Sequence, residues 1–161
     1  MIHSIQKPPA RLSLKATAIA AVGSSLAIAM LSLATNILDI ALLLGSFGAS
    51  AVLLFAYPAL PFSQPRHVLG GHLIGALVGL VFLTFLGDQW WQMSLAVSIT
   101  VAIMMLTGTV HPPAGANPII VFFIQPDWVF LLYPVLFGAL LLVMLALAYH
   151  RLINQRYPSY W

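Results

Sequence analysis

Six apolar runs alternate with short polar connections along this chain. The connections contain proline, glycine or charged residues, and a bilayer span needs about 20 mainly apolar residues. The pattern therefore predicts an all-α membrane protein with six membrane segments, of which the second and fifth are broken or half-length. The runs cover about residues 16–34, 40–57, 68–86, 93–106, 110–124 and 129–149.

A polar, basic stretch with Lys7, Arg11 and Lys15 precedes the first apolar run. A signal peptide is the alternative interpretation, with residues 32–34 as its cleavage site. The run is longer than the about 7–15 residues of a signal core, and further apolar runs follow it. We therefore favour a first transmembrane helix.

The composition supports membrane insertion. Hydrophobic residues make up 61% of the chain and charged residues 6%, against about 25% charged residues in soluble domains. Residues 1–161 are expected to form a single transmembrane domain without a separate soluble module. The expected partner is the lipid bilayer, and neither nucleic acid, a cofactor nor a metal is expected. The absence of cysteine excludes disulfides and thiolate sites.

The charged residues indicate an orientation, because Lys and Arg prefer cytoplasmic loops. If all six segments cross, every Lys and Arg falls on one side and every Asp on the other. We therefore predict a multi-pass protein of the bacterial inner membrane with both termini in the cytoplasm. The basic residues are Lys7, Arg11, Lys15, Arg66, Arg151 and Arg156, and the acidic residues are Asp39, Asp88 and Asp127.

An internal repeat is suggested by two similar octapeptides. Residues 48–55 (GASAVLLF) align without gaps to residues 115–122 (GANPIIVF). The first repeat would cover about 16–86 and the second about 92–150, with opposite orientations in the membrane. The prediction is a three-plus-three inverted repeat whose broken elements meet near the midplane. Chance similarity between common membrane residues is the alternative.

The most irregular stretch is 108–118, which contains Pro112, Pro113 and Pro118. Proline lacks a backbone donor and fixes φ, so a regular helix cannot pass through this stretch undisturbed. A loop at the membrane surface is one interpretation. The other is a helix broken inside the bilayer, where many transporters form their binding sites.

Both repeats contain a possible anion site. Ser50 and Asn117 are good N-cap residues, and Pro118 would suit the first helical position. Two opposed helix N-termini would attract a small anion without a buried Lys or Arg. The predicted substrate-binding residues are Gly45, Ser46, Gly48, Ala49, Ser50, Thr109, His111, Gly115, Ala116 and Asn117.

Histidines offer further chemistry. His111 either caps a backbone carbonyl or acts as a gate or proton-linked group, because imidazole titrates near neutral pH. His72 is interpreted as a packed or headgroup-facing residue. No spacing supports a zinc site formed with His67. Catalysis by a Ser-His-Asp triad is also unsupported, because every aspartate falls on the predicted membrane side opposite to His111. We expect no enzymatic activity.

Glycines spaced by four occur in the third run, at Gly71, Gly75 and Gly79. Small residues at this spacing let membrane helices approach closely, and tight packing is favoured over a pore lining. A chain of this size with glycine-rich faces is expected to form a homo-oligomer.

Three motifs resemble the HPP family of integral membrane proteins and occur in that family's order. They are Gly45-Ser46-Phe47-Gly48-Ala49-Ser50, Gln64-Pro65-Arg66 and Thr107-Gly108-Thr109-Val110-His111-Pro112-Pro113. The resemblance covers nearly the whole chain and implies a multi-spanning protein, with nitrite transport as the expected function. His67 and Asn117-Pro118 depart from the expected family pattern. A membrane scaffold or regulatory subunit without transport activity is the alternative.

Overall fold

The computed structural model describes residues 11–161. This part of the chain forms six α-helices and no strand, which confirms the prediction of an all-α membrane protein. Four helical segments are long and apolar enough to cross a bilayer, whereas the second and fifth helices have only 12 and 8 residues. The helices are α1 (Leu14–Leu38), α2 (Gly45–Ala56), α3 (Pro65–Phe85), α4 (Trp90–Thr107), α5 (Asn117–Ile124) and α6 (Phe137–Leu152).

Local sequence signals define most helix ends. The Ser13 hydroxyl accepts from the Ala16 N–H at 3.2 Å and caps α1, which satisfies one otherwise unpaired donor. A capping box of Gln89 and Gln92 begins α4. Gly108 ends α4 with φ 61°, a left-handed conformation that glycine adopts readily.

The last span is less regular than the others. A 3-10 turn, Trp128–Leu131, is followed by a π-type segment, Leu132–Leu136, before α6 begins. Pro134 lies in this segment and lacks the N–H that a regular helix would use. The whole span from Trp128 to Leu152 has 25 residues, enough to cross a bilayer.

The helices pack in two related groups. α1 contacts α2 and α6, whereas α3 contacts α4, α5 and α6. Phe47, Leu54, Leu80 and Leu142 are among the fully buried side chains of the main core. Large apolar residues on the outer faces of α1 and α4 remain exposed, as expected for surfaces that face lipid.

The glycines of α3 form a close contact with the irregular stretch that follows α4. A Cβ atom on Gly71 would lie 2.7 Å from Cβ of His111, and one on Gly79 would lie 2.9 Å from Cα of Pro118. A Cβ atom on Gly75 would collide with the carbonyl oxygen of Ala114. The predicted tight packing of this ridge is therefore present, and it lies inside the protein.

Basic residues lie at one end of the bundle and acidic residues at the other. At the basic end, Arg66 Nη2 donates to the Thr107 carbonyl at 3.2 Å, and the Tyr149 hydroxyl donates to the Ile19 carbonyl at 2.7 Å. At the opposite end, Gln125 donates to Asp88 at 3.4 Å. Lys7 lies outside the described residues.

The final residues fold back on the connection between α2 and α3. The Tyr157 hydroxyl donates to the Ser63 carbonyl at 2.9 Å, and the Ser159 N–H donates to Oε1 of Gln64 at 2.8 Å. The Gln64 amide also donates to the carbonyls of Pro58 and Leu60. Gln64 of the Gln-Pro-Arg motif therefore fixes this connection.

Candidate functional site

A buried polar cluster joins α2, α3 and the stretch before α5. We call it the polar cluster, and its members are Ser46, Ser50, His72, His111 and Asn117. Ser50, both imidazoles and Asn117 have 0% exposure, and Ser46 has 4%. None of these side chains is an Asp, Glu, Lys or Arg, so the chemistry of the cluster depends on hydroxyl, amide and imidazole groups.

Ser50 occupies the centre of the polar cluster. Its Oγ lies 2.9 Å from Nε2 of His72 and 2.8 Å from Nε2 of His111. The other ring nitrogen of His111, Nδ1, lies 2.7 Å from the carbonyl oxygen of Phe62. The two imidazole rings are close, with centroids 5.0 Å apart, and one serine hydroxyl connects them.

Asn117 occupies the other side of His72. Its Nδ2 lies 3.1 Å from Nδ1 of His72 and 3.0 Å from the His72 carbonyl. The Ser46 hydroxyl donates to Oδ1 of Asn117 at 2.8 Å. Ser50 and Asn117 therefore contact opposite nitrogens of the same imidazole.

With both rings neutral, only one placement of protons satisfies all these bonds. The Phe62 carbonyl can only accept, so His111 carries its proton on Nδ1 and Ser50 donates to its Nε2. Ser50 must then accept from Nε2–H of His72. Nδ1 of His72 is left to accept from Asn117, whose amide orientation is fixed by the His72 carbonyl. Every bond in the chain then runs in one direction.

Helical spacing explains how α2 contributes two hydroxyls. Ser46 and Ser50 are four residues apart, so they lie on the same face of the helix. Phe47 shares the buried side and packs edge-on against His72, with ring centroids 4.9 Å apart. Gly45, Gly48 and Ala49 lie on the opposite, exposed face.

The close contact of the α3 glycines positions the other half of the polar cluster. Gly71 and Gly75 flank His72 and leave room for His111 and Asn117 against the helix backbone. α4 ends at Gly108, and the prolines that follow His111 prevent a regular helix from resuming there. His111 itself is extended, and its imidazole contacts Ser50 and the Phe62 carbonyl. The 3-10 turn Pro112–Ala116 then leads directly into α5.

The expectation that Ser50 and Asn117 cap two opposed half-helices is wrong. α2 begins at Gly45, and Ser50 lies in its second turn. Asn117 is the first residue of α5, but its side chain makes no capping bond. Its own N–H already donates to the Ala114 carbonyl of the preceding 3-10 turn. That turn supplies the partner that an open helix N-terminus would lack, and buried side-chain partners satisfy both polar residues.

The predicted site residues separate into two groups. Ser46, Ser50, His111 and Asn117 meet in the polar cluster. The others lie apart from it: Gly45, Gly48 and Ala49 are exposed, Gly115 and Ala116 are half-buried, and the Thr109 hydroxyl pairs with Thr107 at 2.7 Å.

His72 is the member that the sequence interpretation missed. A single histidine in an apolar helix is most simply interpreted as a packed residue. The available signal was its position between Gly71 and Gly75, on a helix face shaped for close approach.

An apolar cleft lies near the polar cluster, between α2 and the 3-10 turn Pro112–Ala116. This cleft has a volume of about 410 Å³ and is lined by Ala49, Val52, Leu53, Pro112 and Pro113. Ala49 and Pro112 are the chain neighbours of Ser50 and His111.

Within residues 11–161, no group of three His, Cys, Asp or Glu side chains is arranged to hold a metal ion.

Comparison with known proteins identifies relatives over most of the chain. Two transmembrane proteins of Dictyostelium discoideum are 38% and 37% identical to the chain over 128 residues. The alignments cover 74% of this chain, but only 45% and 41% of the two relatives. The chain thus spans less than half the length of these relatives. No solved structure matches it.

The family comparison is more extensive than these alignments. Residues 9–158 match the family described as HPP, transmembrane region. This match includes all six helices and every member of the polar cluster, and it confirms the resemblance seen in the three sequence motifs. The chain belongs to the HPP transmembrane family and is an integral, multi-pass membrane protein.

Proposed function

We propose that this protein transports a small inorganic anion through the region of the polar cluster, with nitrite as the first candidate. The observation that carries the proposal is a set of two imidazoles, two hydroxyls and one amide buried among membrane helices. Polar and ionisable groups inside a membrane are costly, and by default they mark an ion or substrate pathway. The choice of nitrite comes from the family resemblance.

Neutral hydrogen-bond donors are suited to a weakly held anion. A fixed Lys or Arg would bind the anion strongly, whereas conduction or exchange requires that it also leave. The polar cluster contains N–H and O–H groups and has no permanent charge. We therefore expect anion selectivity to depend on donor geometry and size.

The arrangement of helices supports the proposed inverted repeat. The contacts of α3 with α4 and α5 have counterparts in the contacts of α6 with α1 and α2. The aligned residues Ser50 and Asn117 both contact His72. Transporters with such repeats place their sites at the interface of the two halves, and the proposed pathway follows this arrangement.

We also propose that the basic end of the bundle faces the cytoplasm, so that both termini lie there and all six segments cross. The location of Arg66 and of the C-terminal segment at the same end supports this orientation. The bacterial inner membrane stays a prediction from the sequence. We propose no catalytic activity, and the protein acts by moving its substrate unchanged.

Assembly into a homo-oligomer is part of the proposal. The glycine ridge of α3 is covered within one chain, so the supporting surface is now the outer face of α2. That face exposes Gly45, Gly48 and Val52. Crosslinking of the purified protein in detergent tests this, and a single monomeric species would contradict it.

A scaffold without transport activity is the second candidate function. The observation that favours it is that each cluster side chain already has a hydrogen-bond partner within the protein. Such a network could hold the fold together without admitting a substrate.

Nitrite flux into proteoliposomes separates the two functions. Uptake should exceed that of protein-free vesicles, and Ser50→Ala and His111→Gln should reduce it by about tenfold or more, the equivalent of one lost hydrogen bond to a charged group. Thr100→Val is the matched control, because the buried Thr100 hydroxyl has no partner. Uptake no faster than in protein-free vesicles would support the scaffold.

A further inference from the structure

We infer that the polar cluster binds a proton together with the anion, and that the proton is accepted by Nε2 of His111. This inference rests on the proposed anion transport and specifies how it is coupled. It follows from the donors and acceptors of the cluster and from the lack of a counter-charge beside it within residues 11–161.

In the neutral polar cluster, every hydrogen-bond donor already has an acceptor. The hydroxyls of Ser46 and Ser50, both amide hydrogens of Asn117 and one N–H from each imidazole all have acceptors. An anion can only accept hydrogen bonds, so it must take a donor from a buried group that needs it. Leaving such a group unpaired is unfavourable.

Ser50 is the exception, because its hydroxyl has a second acceptor. Its Oγ lies 2.8 Å from Nε2 of His111 and also 3.2 Å from the carbonyl oxygen of Ser46. The Ser46 carbonyl lies inside α2, where the helix backbone already provides it with a donor. The Ser50 hydroxyl can therefore turn between the two acceptors without movement of any heavy atom.

This freedom makes His111 the proton acceptor. When Nε2 of His111 takes up a proton, it becomes a donor to Ser50 Oγ, and the Ser50 hydrogen turns to the Ser46 carbonyl. Nδ1–H of His111 keeps its bond to the Phe62 carbonyl. Every partner remains satisfied, and only the direction of one bond has changed.

His72 cannot accept the proton in the same way. Its unprotonated nitrogen, Nδ1, faces Nδ2 of Asn117. The Asn117 amide cannot turn, because Ser46 donates to its oxygen and the His72 carbonyl accepts from its nitrogen. A proton on Nδ1 of His72 would place two donors against each other.

The protonated ring would carry a charge without a counter-ion among the residues that the structure describes. α2, α4 and α5 contain no Asp, Glu, Lys or Arg. Other titratable groups on the elements that pack around the cluster have partners of their own. His67 contacts the Val110 carbonyl and Tyr160, and the carbonyls of Thr107, Leu54, Ile19 and Ser63 are the partners of Arg66, His150, Tyr149 and Tyr157, respectively.

A bound monoanion neutralises this charge. An unpaired buried charge is strongly unfavourable, whereas a paired one is tolerated. The Ser50 hydroxyl can also donate to the anion instead of to the Ser46 carbonyl, because that carbonyl keeps its donor from the helix backbone. One proton and one anion thus bind and leave together, and no net charge crosses the membrane.

The test measures proton uptake by the purified protein in detergent, where no leak of nitrous acid through lipid interferes. Sodium nitrite is added in weak buffer at about pH 7, where imidazole titrates, with an indicator dye, and bound nitrite is counted by equilibrium dialysis. The wild type should take up about one proton per nitrite bound, because linked binding requires it. His111→Gln should abolish the proton uptake, and Thr100→Val should retain it.

Ser50→Ala provides a second test that keeps the His111 ring, and it decides the matter if His111→Gln does not fold. Without the turning hydroxyl, proton uptake per bound nitrite should fall well below that of the wild type. Full uptake in Ser50→Ala would overturn the inference.

Two results would overturn proton coupling while leaving anion transport intact. One is nitrite binding by the wild type without proton uptake. The other is a steady-state ratio of internal to external nitrite in proteoliposomes that changes about tenfold for every 59 mV of membrane potential, as uncompensated movement of one charge requires. Absence of both nitrite binding and flux would overturn the proposed function, and the inference with it.

Discussion

The Oγ atom of Ser50 lies 2.8 Å from Nε2 of His111, although the two residues are 61 positions apart in the chain. This contact joins the interior of α2 to the turn that breaks the path between α4 and α5. It also connects the first half of the chain to the second through a single hydroxyl, which makes Ser50 the most informative position for mutation.

We expect Ser50→Ala to reduce the free energy of unfolding by about 1–3 kcal/mol, because both imidazoles lose a buried partner. Thr100→Val is the matched control: it also removes a buried hydroxyl, but one without a hydrogen bond. Its effect should be less than about 1 kcal/mol. Chemical denaturation in mild detergent measures both, and equal effects would contradict the hydrogen-bond chain.

Gly75→Ala should destabilise the protein by about 1–3 kcal/mol, the usual cost of forcing extra atoms into a packed core. The added methyl group would meet the Ala114 carbonyl. Gly75→Leu should prevent folding or assembly altogether. Yield and thermal unfolding in detergent report both changes.

Gly48→Ala is the control for the glycine ridge. A Cβ atom at Gly48 would meet nothing within 4 Å, and alanine is favoured over glycine in a helix by about 1 kcal/mol. In the unassembled protein we therefore expect no loss of stability and a small gain. A loss as large as that of Gly75→Ala would show that the outer face of α2 is covered.

Cysteine labelling tests the orientation of the bundle, and the natural chain has no cysteine to interfere. Ser159→Cys and Asp39→Cys place exposed thiols at the basic and acidic ends. An impermeant thiol reagent added to intact cells should label Asp39→Cys alone. Labelling of Ser159→Cys from outside would reverse the proposed orientation.

Alkaline pH should weaken the attachment of the C-terminal segment. Burial raises the pKa of Tyr157 well above its ordinary value, so the folded state keeps a proton that the unfolded state loses. The contribution of Tyr157 to stability is therefore constant below about pH 10 and falls above it. Tyr157→Phe should lose about 1 kcal/mol at neutral pH with the bond to Ser63 and should remove this tyrosine's share of the alkaline decline. Unfolding measured against pH in both proteins checks this, and parallel curves would contradict it.

The sequence predicted much of the fold because apolar runs and helix-ending residues act locally. The third and fourth runs became α3 and α4 within three residues at each end. Ser46, Ser50, His111 and Asn117 could be selected because polar residues are rare in membrane segments.

Their partners could not be predicted, because a partner depends on how helices cross. Ser50 was assigned to a helix start from its residue type, but its neighbours in the folded protein are imidazoles from other segments. His72 was missed for the same reason, since its role appears only when Gly71 and Gly75 bring the 111–117 stretch against α3.

The glycine ridge also has a mechanical consequence. Because no side chain separates α3 from the backbone at Ala114 and Pro118, we expect these segments to move as one body. α2 is linked to that body by the hydrogen bonds of Ser46 and Ser50. A hinge motion that separates the two would therefore break and remake hydrogen bonds while the interlocked backbones stay fixed.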